Sequence, residues 1–328
     1  MILRHLALFL LTAPLVAGGI ALGLILSQWP EDDPRGSGAG AVATDAAGAF
    51  AARAQFTARD GATLGYLSRG EPEAERMIVA IHGSGGHAGW MAGIGADLAQ
   101  TTGARVVAPD LRGHGRAPAR RGDVDHIGQL EDDLADLIVH LGREGREVVL
   151  LGHSGGGGLV IRFAGGVHVS LIDRAVLVAP FLQHDAPTAL PMAGDGWAHV
   201  LTRRIAGLYM LNAVGITALN HLAVVQFRYP PALLTGPAAP FATRSYSYRM
   251  QFALAPRRDW LADVAALPPF LLVAGSADRT FRAEAFEPAM APLVGDGRFL
   301  VLDGAGHTDI LGDPRLVEAI AHFLGAGD

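Results

Sequence analysis

The 328-residue sequence contains no cysteine and no lysine, and all 26 of its basic residues are arginines. The absence of cysteine excludes disulfides, thiol nucleophiles and thiolate metal sites. The absence of lysine excludes Schiff-base chemistry and a phosphate-binding P-loop. Nucleophilic catalysis would therefore rest mainly on serine, threonine, aspartate, glutamate or histidine. The net charge of −6 is spread along the chain without a basic stripe, so we expect no nucleic-acid partner.

An uncharged apolar run from Leu6 to Leu26 is long enough to cross a bilayer as a helix. Arg4 precedes this run and Glu31 follows it, an asymmetry that predicts a cytoplasmic N-terminus and an extracytoplasmic remainder. We therefore predict a transmembrane anchor within residues 1–29, with a cleaved signal peptide and secretion as the alternative. Residues 30–54 are rich in Ala, Gly, Pro and Asp and are predicted to form a linker.

Residues 55–328 alternate short apolar runs with helical patterns, which predicts a single α/β domain with a doubly wound, mostly parallel sheet. Most of the predicted strands are apolar on both faces, as buried parallel strands are. The predicted strands are Gln55–Ala58, Thr63–Ser68, Met77–Ile81, Arg105–Ala108, Glu147–Leu151, Ala175–Ala179, Phe270–Ala274 and Phe299–Leu302. Residues from about 181 to 261 show helical periodicity instead and are predicted to form an inserted helical cap.

The strongest chemical signal is a Gly-x-Ser-x-Gly pattern that directly follows a predicted strand and precedes a predicted helix. It consists of Gly152, His153, Ser154, Gly155 and Gly156. A sharp strand-to-helix turn holds the serine in a strained conformation and needs small residues two positions to either side. Ser154 is therefore the predicted nucleophile, in a nucleophile elbow.

A second glycine-rich loop, residues 82–86, follows the strand Met77–Ile81 and predicts an oxyanion hole. Acyl transfer needs two backbone N–H donors aimed at the developing negative charge. We assign these donors to Gly155, at the start of a helix, and to Ser84. His82, within the same loop, is predicted to brace the loop rather than to act as the base.

His307 is the predicted general base, and Asp278 is the acid predicted to orient it. The two residues follow the last two predicted strands, at the sheet edge where ligands bind in open α/β sheets. Their order after Ser154 is the one that a nucleophile elbow predicts. Asp303 and Asp309 are nearer to His307 in sequence but are predicted to cap turns or a helix.

In this order of motifs the sequence resembles the serine-hydrolase branch of the α/β-hydrolase superfamily, and within it the lysophospholipase, monoacylglycerol lipase and serine aminopeptidase-like proteins. The resemblance rests on the motifs around Ser84, Ser154, Asp278 and His307, and on residues 109–115 with the sequence Pro-Asp-Leu-Arg-Gly-His-Gly. It covers residues 55–326 and implies that the 109–115 loop is structural. One departure is Gly155, because such enzymes usually have a bulkier residue directly after the nucleophile.

The predicted function is hydrolysis of a lipid-like or otherwise hydrophobic carboxylic ester through an acyl-enzyme, without metal or organic cofactor. The same residues could serve an amidase, a peptidase, a thioesterase, an acyltransferase or a cofactor-free haloperoxidase. An alternative of another class is a catalytically inactive, membrane-tethered binding protein. The sequence leaves the oligomeric state open.

Overall fold

Eight strands form one sheet, and each lies within two residues of a run that the sequence predicted. The computed structural model describes residues 2–32, 54–190 and 196–325. Most of the predicted linker therefore lies outside the described residues. The strands of the sheet are β1 (Ala54–Thr57), β2 (Thr63–Arg69), β3 (Arg76–Ile81), β4 (Arg105–Pro109), β5 (Glu147–His153), β6 (Arg174–Val178), β10 (Phe270–Gly275) and β11 (Gly297–Leu302).

The strand order of this sheet is β1-β2-β4-β3-β5-β6-β10-β11. β2 pairs antiparallel with both of its neighbours, and all other pairs are parallel. From β3 the chain first adds β4 on one side, and it later adds β5 on the other side. The strand order thus reverses between β3 and β5, which is where open α/β sheets bind their ligands. The glycine-rich loop at residues 82–86 and Ser154 both follow strands at this reversal.

Helices cover the sheet because their apolar residues recur with helical spacing. In the helix that precedes β5, Leu130, Leu134, Leu137 and Leu141 lie on one face and are all buried. The α-helices are α1 (Ile2–Leu26), α2 (Ala92–Thr102), α3 (Gln129–Leu141), α4 (Gly155–Ala164), α5 (Thr202–Asn212), α6 (Tyr248–Leu254), α7 (Trp260–Ala265), α8 (Phe286–Met290) and α9 (Pro314–Phe323). α2 packs against α9, whereas α4 packs against α3, α6 and α7.

The cap between β6 and β10 is not purely helical, so the prediction of a helical cap was wrong in part. Besides α5 it contains a three-stranded antiparallel sheet, here called the cap sheet, of β7 (Ala198–Val200), β8 (Ala223–Phe227) and β9 (Ser245–Ser247). Two of these strands are only three residues long, too short to show a period of two. β8 lies within the apolar stretch whose spacing appeared helical.

The N-terminal run does form a helix, α1, but its C-terminal half packs against the cap. Ala21 and Ile25 are 1% and 2% exposed, and Gly207 of α5 lies so close that a Cβ there would stand 2.7 Å from Ile25 Cγ1. The Nε–H of Arg204 donates to the carbonyl of Ile25 at 3.3 Å, and its guanidinium lies 5.1 Å from the centre of the Trp29 ring.

Across residues 2–32, 54–190 and 196–325, no helix combines the length and the apolarity needed to cross a membrane. The predicted transmembrane anchor at residues 1–29 is therefore not supported. Within α1, Ala21 and Ile25 are buried against the cap. The extracytoplasmic placement of the catalytic domain stays a prediction.

Candidate active site

Ser154 occupies a sharp turn between β5 and α4. Its φ of 54° and ψ of −118° lie in a region that non-glycine residues rarely adopt. The turn brings the end of β5 so close to the first residues of α4 that a Cβ on Gly152 would stand 2.6 Å from the backbone nitrogen of Gly157. A Cβ on Gly156 would stand 2.6 Å from the carbonyl oxygen of His82. Backbone contacts thus leave no room for a side chain at either elbow glycine.

Gly155 and Ser84, the two predicted oxyanion donors, lie side by side. Ser84 N is 3.3 Å from the point where a Cβ on Gly155 would stand, and the Ser84 side chain and Leu254 Cδ2 fill the adjacent space. A larger residue after the nucleophile would therefore collide with both side chains. This contact explains the glycine at a position that is usually bulkier. Gly155 is also the first residue of α4, whose initial N–H groups have no acceptor within the helix.

Ser154, His307 and Asp278 form a continuous hydrogen-bonded series. His307 Nε2 lies 3.0 Å from Ser154 Oγ, and His307 Nδ1 lies 2.8 Å from Asp278 Oδ2. A carboxylate only accepts, so Nδ1 carries the imidazole proton and Nε2 presents its lone pair to the serine hydroxyl. The side chains of His307 and Asp278 are 9% and 1% exposed, which shields the pair from solvent.

The Asp278 carboxylate is held in place by backbone donors as well as by the imidazole. The N–H groups of Thr280 and Phe281 donate to Oδ1 at 2.6 and 3.1 Å. Burial of Asp278 acts to raise its pKa, but the hydrogen bond and charge of His307 and the two backbone donors outweigh burial and lower the pKa below its ordinary value. Asp278 is therefore ionised at neutral pH.

His153, the residue before the serine, contacts the backbone of the predicted base. Its Nε2–H donates to the carbonyl of His307 at 2.8 Å, whereas its Nδ1 is buried without a hydrogen-bond partner. Burial, followed by the positive charge of protonated His307, lowers the pKa of His153 to about 3. His153 is thus a neutral side chain that ties the elbow to the loop carrying His307.

His82 faces the interior and not the serine. Its Nδ1–H donates to the carbonyl of Gly83 at 2.9 Å, and its Nε2 accepts from the N–H of Leu111 at 3.3 Å. Burial lowers its pKa, so the side chain is neutral. Asp110, within the 109–115 motif, accepts from the N–H of Ala88 at 2.8 Å. These contacts join the motif to His82 of the glycine-rich loop and to Ala88, just beyond that loop.

Four side chains of this region were not identified from the sequence. Leu254 lies against Gly155, the Phe281 ring lies 5.2 Å from the His307 ring, and Tyr229 and Tyr246 reach the glycine-rich loop from the cap. No local pattern marks them, because the tyrosines lie 144 and 161 positions from Gly85, the residue they contact. Only the folded cap brings the two tyrosines to the site.

Residues 72–315 match the sequence family described as serine aminopeptidase, S33. The chain belongs to this S33 family. The match spans the elbow, the glycine-rich loop, Asp278 and His307. It therefore includes every residue of the candidate site.

The chain is similar to an uncharacterized protein in sequence, and its fold is similar to those of proteins described as different enzymes. An uncharacterized protein of Mycobacterium tuberculosis is 26% identical over 269 residues, 75% of this chain and 74% of that protein. A monoacylglycerol lipase of Paleococcus ferrophilus superposes with a TM-score of 0.60 at 24% identity, covering 80% of this chain and 99% of the lipase. A bromoperoxidase of Bacillus anthracis gives 0.57 at 19% identity, covering 84% and 100%. The S33 chain described here thus has the α/β-hydrolase fold.

Proposed function

We propose that this S33-family protein is a serine hydrolase that cleaves hydrophobic carboxylic esters, with Ser154 as nucleophile, His307 as general base and Asp278 as the acid that orients the base. The observation that carries the proposal is the series Ser154 Oγ, His307 Nε2, His307 Nδ1 and Asp278 Oδ2, joined at 3.0 and 2.8 Å. The same elements recur in acyl-transfer enzymes on several unrelated folds because their roles depend on geometry.

In the first half-reaction the Ser154 oxygen attacks the ester carbonyl carbon while its proton passes to His307 Nε2. Asp278 stabilises the resulting imidazolium and stays ionised. The carbonyl oxygen becomes an oxyanion that accepts hydrogen bonds from the N–H groups of Gly155 and Ser84. Collapse of the tetrahedral intermediate expels the alkoxide, which takes the proton from His307 and leaves as the alcohol.

In the second half-reaction water replaces the alcohol. His307 removes a proton from the water as its oxygen attacks the acyl-serine, and it returns that proton to Ser154 Oγ as the acid leaves. One ester and one water are thereby converted into one acid and one alcohol. Every proton passes through His307 Nε2, and no metal or organic cofactor enters the scheme.

The preference for a hydrophobic ester is supported by the side chains nearest the reacting atoms. Leu254 fills the space beside Gly155, and the ring of Phe281 lies 5.2 Å from the His307 ring and 6.3 Å from Phe181. Apolar walls favour apolar substrate groups because contact with those groups removes both surfaces from water. We therefore expect rates to rise with acyl length until the available space is filled.

Hydrolysis of a p-nitrophenyl ester series from acetate to laurate, by wild-type protein and by Ser154→Ala, tests the proposal. The substitution should lower kcat about 10⁴-fold or more without altering the fold, since it removes the nucleophile alone. Ser68→Ala is the matched control, because this hydroxyl bonds Arg105 on the neighbouring strand at 3.4 Å. Ester turnover that survives Ser154→Ala would contradict the proposed nucleophile.

Wild-type protein and Ser154→Ala also distinguish ester hydrolysis from the alternative functions. Amino-acid p-nitroanilides measure amide cleavage, which the family description makes the leading alternative. Faster turnover of anilides than of esters would overturn the ester preference and keep the proposed nucleophile. Absence of turnover on both substrate classes, with no reaction of Ser154 with a fluorophosphonate, would favour an inactive binding protein.

A further inference from the structure

Two tyrosines of the cap contact Gly85, the residue that directly follows Ser84. The N–H of Gly85 donates to the hydroxyl oxygen of Tyr246 in β9 at 2.7 Å. The hydroxyl of Tyr229, just after β8, donates to the carbonyl of Gly85. Tyr246 and Tyr229 are 0% and 3% exposed, so both bonds lie out of solvent. The cap thus forms hydrogen bonds with both the N–H and the carbonyl of Gly85.

Aromatic rings of the cap also enclose this residue. Gly85 has a φ of +76°, and a Cβ there would lie 3.1 Å from Trp197 Cζ2 and 3.3 Å from Phe227 Cδ2. Trp197 stacks on Phe227 at 5.4 Å, and Phe227 meets Tyr246 edge-on at 4.7 Å. These rings belong to the cap sheet or to the residue before it. The glycine-rich loop is therefore packed directly beneath the cap sheet.

The proton arrangement at Tyr246 is fixed by His114, from the 109–115 motif. His114 Nδ1–H donates to the carbonyl of Arg112 at 3.0 Å, which leaves Nε2 as an acceptor. The Tyr246 hydroxyl therefore donates to His114 Nε2 at 2.6 Å, and its oxygen is left to accept from the N–H of Gly85. Burial keeps His114 neutral by lowering its pKa well below the ordinary value.

We infer that Tyr246 is a positioning residue that sets the direction of the Ser84 N–H through Gly85, so that the cap sheet controls the geometry of the oxyanion hole. This inference rests on the proposed function. Hydrogen bonds to an oxyanion lose their catalytic value when donors move by a fraction of an ångström. A hydroxyl that holds the adjacent peptide acts on the transition state more than on the bound substrate, because the negative charge on the carbonyl oxygen is absent from the bound substrate and develops in the transition state.

Tyr246→Phe removes the hydroxyl and keeps the ring in the cap sheet. We expect kcat to fall about 10- to 100-fold, less than for deletion of a donor, with KM changed less than about threefold. Affinity for a trifluoromethyl ketone, whose adduct with Ser154 carries an oxyanion, should fall by the same factor as kcat. Titration of active sites with a fluorophosphonate normalises the rates to folded protein. Tyr248→Phe is the matched control, since Tyr248 is a buried cap tyrosine (3% exposed) whose ring packs on Phe252.

Hydrogen exchange measured by mass spectrometry on peptides covering residues 82–90 tests the contact without any assay of activity. Faster exchange of these amides in Tyr246→Phe, but not in Tyr248→Phe, supports the inference. Unchanged exchange, or a lower melting temperature with kcat per active site unchanged, overturns it. If Tyr246→Phe does not fold, Tyr229→Phe carries the same measurements, since it removes the bond to the Gly85 carbonyl. If wild-type protein neither hydrolyses the esters nor reacts with the fluorophosphonate, the proposed function is refuted. Hydrogen exchange of residues 82–90 then shows by itself whether Tyr246 holds Gly85.

Discussion

The buried histidine beside the nucleophile makes the stability of the fold dependent on pH in a calculable way. Burial lowers the pKa of His153 to about 3, whereas an unfolded histidine titrates near 6.5. Between these values the unfolded chain binds the extra proton and the folded chain does not, so the free energy of unfolding falls as the pH falls below about 6.5. The slope is at most about 1.4 kcal/mol per pH unit for one such group.

For His153 alone this linkage removes about 2 kcal/mol of stability between pH 8 and pH 5. His82 and His114 also have lowered pKa values, so each adds to the loss in the same direction. Asp278, whose pKa is lowered, contributes stability that is lost only below an unfolded pKa of about 3.9, outside this interval. The wild-type loss should therefore exceed 2 kcal/mol.

The variant His153→Gln isolates the contribution of one group. Its amide nitrogen can reach the His307 carbonyl that now accepts from His153 Nε2, but it does not titrate. Urea unfolding followed by circular dichroism at pH 8, 7, 6 and 5 should show a total loss about 2 kcal/mol smaller than in wild type. His126→Gln, at an exposed position, serves as the control. Equal losses in wild type and His153→Gln would show that the titration of His153 does not contribute to the pH dependence of stability.

Three further substitutions have defined outcomes. Asp278→Asn should lower kcat about 10³- to 10⁴-fold in steady-state kinetics with little change in melting temperature, since the imidazole loses its orienting carboxylate; an unchanged kcat would exclude Asp278. Gly156→Ala would place a Cβ 2.6 Å from the His82 carbonyl oxygen and should prevent soluble expression. Gly93→Ala should not, because a Cβ there meets no other atom within 4 Å beyond its chain neighbours and its own helix backbone. Gly207→Val should separate α1 from α5, seen as faster proteolysis of residues 2–32; unchanged proteolysis would show that this contact does not hold α1.

The sequence predicted the sheet and the candidate site because both are encoded locally. Most of the strands are short runs with two apolar faces. Gly152 is needed by a contact within one turn, with Gly157, and Gly156 is needed by the close carbonyl of His82, directly after β3. His307 and Asp278 were found from their places after successive strands, and the fold brings those places to one edge of the sheet. The distances of His307 from Ser154 Oγ, 3.0 Å, and from Asp278 Oδ2, 2.8 Å, depend on the folded structure and are not encoded in any local pattern.

The cap and the N-terminal helix were less predictable, for physical reasons. Strands of three residues have too few side chains to reveal alternation, and β8 is apolar throughout except for Gln226. The run from Leu6 to Leu26 is apolar, but its apolarity does not predict that Ala21 and Ile25 pack against the cap. The contact of Tyr246 with Gly85 depends on how the cap folds over a loop 161 positions away, which no local pattern records.

Reaction of the folded protein with a fluorophosphonate probe, followed by peptide mass spectrometry, identifies the nucleophile itself. We expect a single adduct on Ser154 in wild-type protein and at least about 100-fold slower labelling in His307→Ala, because the serine loses the base that lies 3.0 Å from its oxygen. Labelling of another residue, or a labelling rate of Ser154 that is the same in both proteins, would contradict this expectation.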